Sequence, residues 1–247
     1  MPKPGAWRNW YTRTVQNRIP QGLGVRVSPH PLMNQKFEAI FFDMDGLLVE
    51  TEPLYYESAK EVYATAGIDL TYEWFVHEHL GKGRSVSELL REKGISEEKI
   101  VEIRKQRHKR YGEFLEAKAV TVDGAPEILE KLNGHFLLAV VTGSYREHFD
   151  IIMRRTGLQH YFDFFVTCED TVAHKPDPAP YLRALELSQK DKEYCLVLED
   201  SGNGSLAAKA AGLTCYAIPD EMTRSHDFSH ADKILGSIRE VPALVGI

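Results

Sequence analysis

Asp43 and Asp45, one residue apart in Asp43-Met44-Asp45-Gly46, are the first residues along the chain whose type and spacing suggest chemistry. Alternate residues of an extended segment point the same way, so both carboxylates can face one crevice. One can then attack phosphorus while the other acts as general acid and afterwards as general base. Thr142-Gly143-Ser144 offers hydroxyls and backbone amides where a helix is expected to start, and free N–H groups there bind phosphate. Lys175, in His174-Lys175-Pro176-Asp177, can neutralise charge between an attacking carboxylate and phosphoryl oxygens. Glu199-Asp200-Ser201 adds two more acids. Carboxylates at about 3–4 Å repel strongly in a low-dielectric site, so their convergence requires a cation. An all-oxygen set suits Mg²⁺, which also tolerates substrate phosphate in its shell.

These residues converge only if the elements before them are parallel strands. Short apolar runs at Ala39–Phe42, Phe136–Val141, Phe162–Thr167, Tyr194–Leu198 and Thr214–Ile218 are bounded by turn or polar residues, as buried parallel strands are. Helical patterns lie between most of them. Pro126 suits a first helical turn that Gly134 ends, Ser144 and Glu147 form a capping-box pattern, and Gly204–Gly212 is Ala-rich. The expected fold is α/β, a doubly wound parallel sheet with helices on both faces, and ligands bind beyond the carboxyl ends of such strands. Residues 53–119 break the alternation. A helix opens at Pro53 and runs to Gly67, Ser85 and Glu88 make a second capping-box pattern, and a third helix covers about Ser96 to Ala117. This reads as an all-helical domain inserted after the first strand, with residues 37–52 and 120–247 forming the α/β core.

The runs DMDGLLVETEP, VVTGS, HKPDPAPY and VLEDSGNG, in this order, resemble the four motifs of the haloacid dehalogenase superfamily, and the insertion resembles its α-helical cap. The branch most alike contains β-phosphoglucomutase and related sugar- and nucleotide-phosphate phosphatases. The resemblance extends from about Phe37 to Val245. It implies a Rossmann-like core, a Mg²⁺ cofactor and an aspartyl-phosphate intermediate. Asp43 would be nucleophile and metal ligand. Asp45 would be acid/base and bind metal through its backbone carbonyl. Thr142, Gly143 and Ser144 would hold the phosphate, Lys175 would bridge nucleophile and phosphate, and Glu199 and Asp200 would complete the metal site. Halide chemistry is not expected, because the name-giving dehalogenases lack an acid at position 45. Hydrolysis is preferred over mutase chemistry, since Glu50-Thr51-Glu52-Pro53 and Tyr55 stand where mutases carry Asp-Thr and a histidine. A non-catalytic receiver is the third reading, disfavoured because receivers are about half this length and place their acidic pair first.

The glycine-rich stretch Leu80–Ser85 resembles the cap's specificity loop, making Lys82 and Arg84 candidate substrate contacts. Arg107 stands in the apolar stripe Ile100, Ile103, Tyr111, Phe114, and the resemblance makes it a candidate for a second anionic group. His77, His79, His108, His148 and His160 lack metal-ligand spacing and read as surface or cap residues; Gly202 and Gly204 read as packing or turn residues. The chain has 247 residues, is 43% hydrophobic and carries a net charge of −6. Acidity argues against nucleic acid as partner, and no apolar run spans a bilayer. Cys168, Cys195 and Cys215 are too few for a disulfide framework, and the last two sit in apolar runs. A monomeric cytoplasmic enzyme acting on a small phosphate ester is expected. Residues 1–36 contain no Asp or Glu and five of the twelve prolines, lack a secretory h-region, and are expected to be disordered; Met33 is a candidate start.

Overall fold

The computed structural model describes residues 36–247, so the expectation for the N-terminal stretch lies outside the described residues save Lys36. Six parallel strands form one sheet: β1 (Ala39–Phe42), β2 (Leu137–Val141), β3 (Phe164–Val166), β4 (Cys195–Glu199), β5 (Thr214–Ala217) and β6 (Lys233–Ile234), in the order β3-β2-β1-β4-β5-β6. Side chains alternate across each strand, and both faces are covered. Ala39 and Phe41 pack with Tyr181, Ala184, Ala207 and Ala208 from helices on one side. Ile40 and Phe42 pack on the other side with Leu129, Ile152 and Val241. That double burial explains why the strands read as continuous apolar runs. β6 has no such signal: it is two exposed residues at the sheet edge. The chain leaves β1 outward to β3, then returns to β4, so the carboxyl ends of β1 and β4 form the switch-point crevice.

The stretch between β1 and β2 is helical: α1 (Glu52–Ala64), a π-helical run Phe75–Gly81, α2 (Ser87–Glu92), α3 (Glu97–Lys118) and α4 (Ala125–Leu132). Pro53 lies in the first turn of α1, and Gly67 at φ +72° follows its end. Ser96 caps α3, its Oγ accepting from the Lys99 amide. Tyr63, Leu70, Phe75, Leu90, Ile100 and Ile103 form an apolar cluster belonging to this insertion. Its two connections run side by side, with the Glu50 amide donating to Val120 O (3.0 Å) and the Val122 amide to Leu48 O (2.9 Å).

After β2 come α5 (Arg146–Thr156), α6 (Ala179–Ser188), α7 (Gly202–Ala210) and α8 (Val241–Val245). The Ser144–Glu147 capping box does not form. α5 begins at Arg146 with no side-chain cap, because the Ser144 hydroxyl donates to Asp45 and Glu147 pairs with His108. The Ser85–Glu88 box is half made: Glu88 accepts from the Ser85 amide, but the Ser85 hydroxyl takes the Ser87 amide. All three cysteines are free, and Cys195 and Cys215 are buried. Among the described residues no helix is long and apolar enough to cross a membrane.

Candidate active site

Asp43 follows β1, and its amide still pairs with Leu198 O at 2.9 Å, so the β1–β4 ladder fixes where its side chain emerges. The chain then turns at Gly46, whose φ of +82° suits glycine; a Cβ there would lie 2.4 Å from Asp200 Oδ2. The turn thus presses Asp200 against the Asp43–Gly46 segment. Lys175 reaches in from the loop after β3. Its ammonium donates to Asp43 Oδ1 (2.5 Å), Glu199 Oε1 (2.6 Å) and Val141 O (2.8 Å), which uses all three hydrogens. Glu199, at the end of β4, is wholly buried and also accepts from the Tyr181 hydroxyl at 2.6 Å. Asp45 is held by three hydroxyls: Thr51 Oγ1 (2.6 Å), Thr142 Oγ1 (2.8 Å) and Ser144 Oγ (2.9 Å).

The electrostatics follow from crowding acids in a dry crevice. Burial first, then Glu199 and Asp45, push the Asp43 carboxyl up to about 8 against the opposing pull of Lys175. Asp200 is raised well above the carboxylate range by burial and by Asp43 and Glu199. Burial alone would depress the Lys175 ammonium, but Asp43 and Glu199 outweigh it and hold its pKa above the ordinary value. The carboxylates of Asp43, Glu199 and Asp200 offer oxygens within 4.8 Å of one another. Buried like charges with all-oxygen donors fit a hard divalent cation, which would relieve the repulsion that raises Asp43 and Asp200. The Asp45 carboxylate is not in that group, being taken up by its three hydroxyls, so any metal contact from Asp45 is left to its backbone.

A cavity of about 320 Å³ opens over these residues. Asp43, Asp45, Gly143, Ser144 and Asp200 line it from the sheet side, and Tyr55, His79, Arg107 and Tyr111 from the insertion. Arg107 therefore meets the site: its guanidinium lies 4.7 Å from the Tyr55 ring centroid, and its buried Nε has no partner. Thr142 sits beneath the surface rather than lining it. Its hydroxyl donates to Asp45 and accepts from the Ser144 amide, while Gly143 and Ser144 themselves line the cavity. Lys82 and Arg84 do not line the cavity. Lys82 pairs with Glu78, and Arg84 with Glu78, Glu88 and Glu92, because the local sequence surrounds both cations with helix-borne acids. His148 departs from the surface-or-cap reading: it lies on α5 of the core, is buried, lines the cavity, and its Nε2 contacts His108 O at 3.1 Å.

Several lining residues were not singled out from sequence. Glu52 lines the cavity, and burial first, then the charges of Asp45, Asp220 and Asp43, push its carboxyl up to about 8. Its place at the start of a helix just after Asp43 and Asp45 was the available signal. Thr223 and His226 come from the loop after β5, where nothing in the sequence marks a site.

Residues 40–218 match the model of the haloacid dehalogenase-like hydrolase family. The chain belongs to that family. Its relatives include Protein CbbY of Rhodobacter capsulatus, 33% identical over 210 residues, covering 80% of this chain and 92% of that protein. A phosphorylated carbohydrates phosphatase of Thermotoga maritima is 31% identical over 179 residues, 71% of this chain and 82% of that protein. Among solved structures, a CbbY mutant from Rhodobacter sphaeroides in complex with xylulose-(1,5)bisphosphate superimposes with a TM-score of 0.71 at 27% identity, over 81% of this chain and 94% of that one. The hydrolase described here is thus an enzyme of the dehalogenase-like fold, with its Asp43–Lys175–Glu199–Asp200 cluster at the switch point.

Proposed function

We propose that this enzyme is a Mg²⁺-dependent phosphatase that hydrolyses a small phosphate ester, a sugar phosphate or a nucleotide-like one, through an aspartyl-phosphate on Asp43. The observation that carries this reading is the Lys175 ammonium joined to both Asp43 and Glu199 beside Asp200. It leaves Asp43 Oδ2 as the nucleophilic oxygen, while Lys175 offsets the charge that builds up as the phosphoryl group arrives. Asp43, Glu199, Asp200 and the Asp45 carbonyl would hold Mg²⁺, which when bound supplies charge neutralisation for phosphate. The turn Gly143-Ser144, which lines the cavity, would take the phosphoryl oxygens, and Thr142 keeps that turn in place by accepting from the Ser144 amide. Asp45 donates a proton to the leaving oxygen, then takes one from water in the second step, which returns Asp43. Its three hydroxyl partners aim it without moving it.

Residues 53–119 act as a cap over the core formed by residues 37–52 and 120–247, closing the site from water during transfer. Arg107 reaches in from this cap, so the preferred substrate carries a second anionic group. The CbbY complex with a bisphosphate supports that choice. The free thiols fit a reducing compartment, and we place the enzyme in the cytoplasm.

The test is a phosphate-release screen over sugar phosphates and nucleotides with Mg²⁺, followed by phosphorus NMR on the best substrate. Inorganic phosphate accumulating in step with substrate loss supports hydrolysis. A phosphorylated isomer appearing first, dependent on a bisphosphate activator, would make the enzyme a phosphomutase.

A further inference from the structure

Among the described residues, two buried side-chain polar atoms have no hydrogen-bond partner, Arg107 Nε and His226 Nε2, and both residues line the active-site cavity. Buried donors without partners are rare in folded proteins. Two in one cavity point to a ligand that completes them. Arg107 is accounted for by an anionic group; His226 is not. It lies in the loop after β5, beyond the family match that ends at residue 218.

The state of the His226 ring follows from its neighbours. The Gly202 amide donates to His226 Nδ1 at 3.2 Å. A backbone N–H can only donate, so Nδ1 carries the lone pair and the neutral ring's hydrogen is on Nε2. Burial favours that neutral form. The ring is also fixed in place. Phe228 stacks alongside it with centroids 6.2 Å apart, and a Cβ on Gly202 would come within 3.1 Å of its Cβ, so glycine there makes room for it. On the Nε2 side lies Gly81 of the insertion, whose Cβ position would be 3.7 Å away. The N–H is therefore held between the loop at Gly202 and Gly81 of the insertion. A single N–H donates to one acceptor oxygen, and its place beside Gly81 of the insertion favours an oxygen of the substrate's leaving group.

Resting on the phosphatase reading above, we infer that His226 is a specificity-determining residue whose Nε2–H donates to a hydroxyl or carbonyl oxygen of the substrate's leaving group. The substrate class is then a polyol or sugar phosphate rather than an aryl or alkyl ester, because a leaving group without an oxygen there strands the donor.

The test compares His226→Phe and His226→Gln on ribose 5-phosphate, glucose 6-phosphate and phenyl phosphate, whose leaving group has no further oxygen. His226→Phe is expected to lower kcat/KM for the sugar phosphates about tenfold more than for phenyl phosphate. His226→Gln, which keeps an N–H donor, is expected to recover part of the difference. Equal losses on both classes would reduce His226 to a prop for the Gly202 turn, and no loss on either would remove it from the site; both overturn the inference. Imidazole ¹⁵N spectra of the Asp43→Asn enzyme, titrated with the same sugar phosphates, read the hydrogen bond without turnover. A shifted Nε2 resonance supports the inference and an unmoved one overturns it. A parent enzyme inactive on every ester refutes the phosphatase reading, while those spectra still decide the role of His226.

Discussion

Gly204→Ala separates two effects of opposite sign. Gly204 lies in the first turn of α7 with ordinary helical backbone, where alanine normally stabilises by about 1 kcal/mol. A Cβ at this position would fall 2.0 Å from Glu199 Oε1 and 2.1 Å from its Cδ and Oε2, which is overlap with a carboxylate rather than contact. Glu199 cannot yield cheaply. It is wholly buried and accepts from Lys175 at 2.6 Å, Tyr181 at 2.6 Å and the Ser201 hydroxyl at 3.1 Å. Hydrogen bonds to a charged group contribute roughly 1.5–3 kcal/mol each, and a disrupted buried ion pair costs about 3–5 kcal/mol. The overlap therefore wins, and Gly204→Ala should destabilise by about 2–4 kcal/mol after the helix gain is subtracted. Activity should fall as well, since Lys175 loses one of its two carboxylates. Gly112→Ala in α3 is the control. Its Cβ would meet Ile151 Cδ1 at 3.6 Å, an ordinary contact, so it should stabilise by about 0.5–1 kcal/mol. Urea unfolding midpoints with matched slopes compare the two. A Gly204→Ala enzyme as stable as its parent would show that the Glu199 carboxylate yields without cost.

Other consequences are directly measurable. Chelating Mg²⁺ should stop phosphate release and Ca²⁺ should restore it poorly, because its larger, looser shell misplaces the phosphate; full activity in excess chelator contradicts the roles given to Glu199 and Asp200. Arg107→Ala should raise KM about tenfold or more for substrates with a second anionic group and far less for those without, which steady-state kinetics on matched substrates will show. Burial and the neighbouring His108 depress His148 from 6.5 to about 4, so below pH 6.5 the unfolded chain binds a proton that the folded one refuses. Its stabilising contribution is full above about pH 6.5 and lost as pH falls towards 4, by up to about 3 kcal/mol. His148→Phe should flatten the pH dependence of unfolding free energy in that window; an unchanged slope counts against it.

Much of the fold was legible because its signals are local. Five apolar runs bounded by polar residues marked five of the six strands, and Asp43, Thr142, Lys175 and Glu199 stand at or beyond strand ends, where chemistry and position are both written in a few adjacent letters. What stayed hidden depends on tertiary approach. Gly204 reads as a packing residue until the Glu199 carboxylate is found against its Cα. Ser144 has a capping pattern, but its hydroxyl is claimed by Asp45, a residue 99 positions away. Lys82 and Arg84 carry the right charge for a substrate loop, yet the neighbouring Glu78, Glu88 and Glu92 neutralise them first. His148 and His226 sit in segments with no distinguishing pattern, and only the folded cavity brings them together with Glu52 and Arg107.

The proposed hydrolysis passes through a covalent phosphoryl group on Asp43. The direct measurement is rapid acid quench during turnover of a labelled phosphate ester, then hydroxylamine sensitivity and peptide mapping of the trapped protein. An acyl-phosphate is expected on the peptide carrying Asp43, formed before free phosphate appears and missing from Asp43→Asn. Turnover with no labelled enzyme at any quench time, or label that persists in Asp43→Asn, would contradict it.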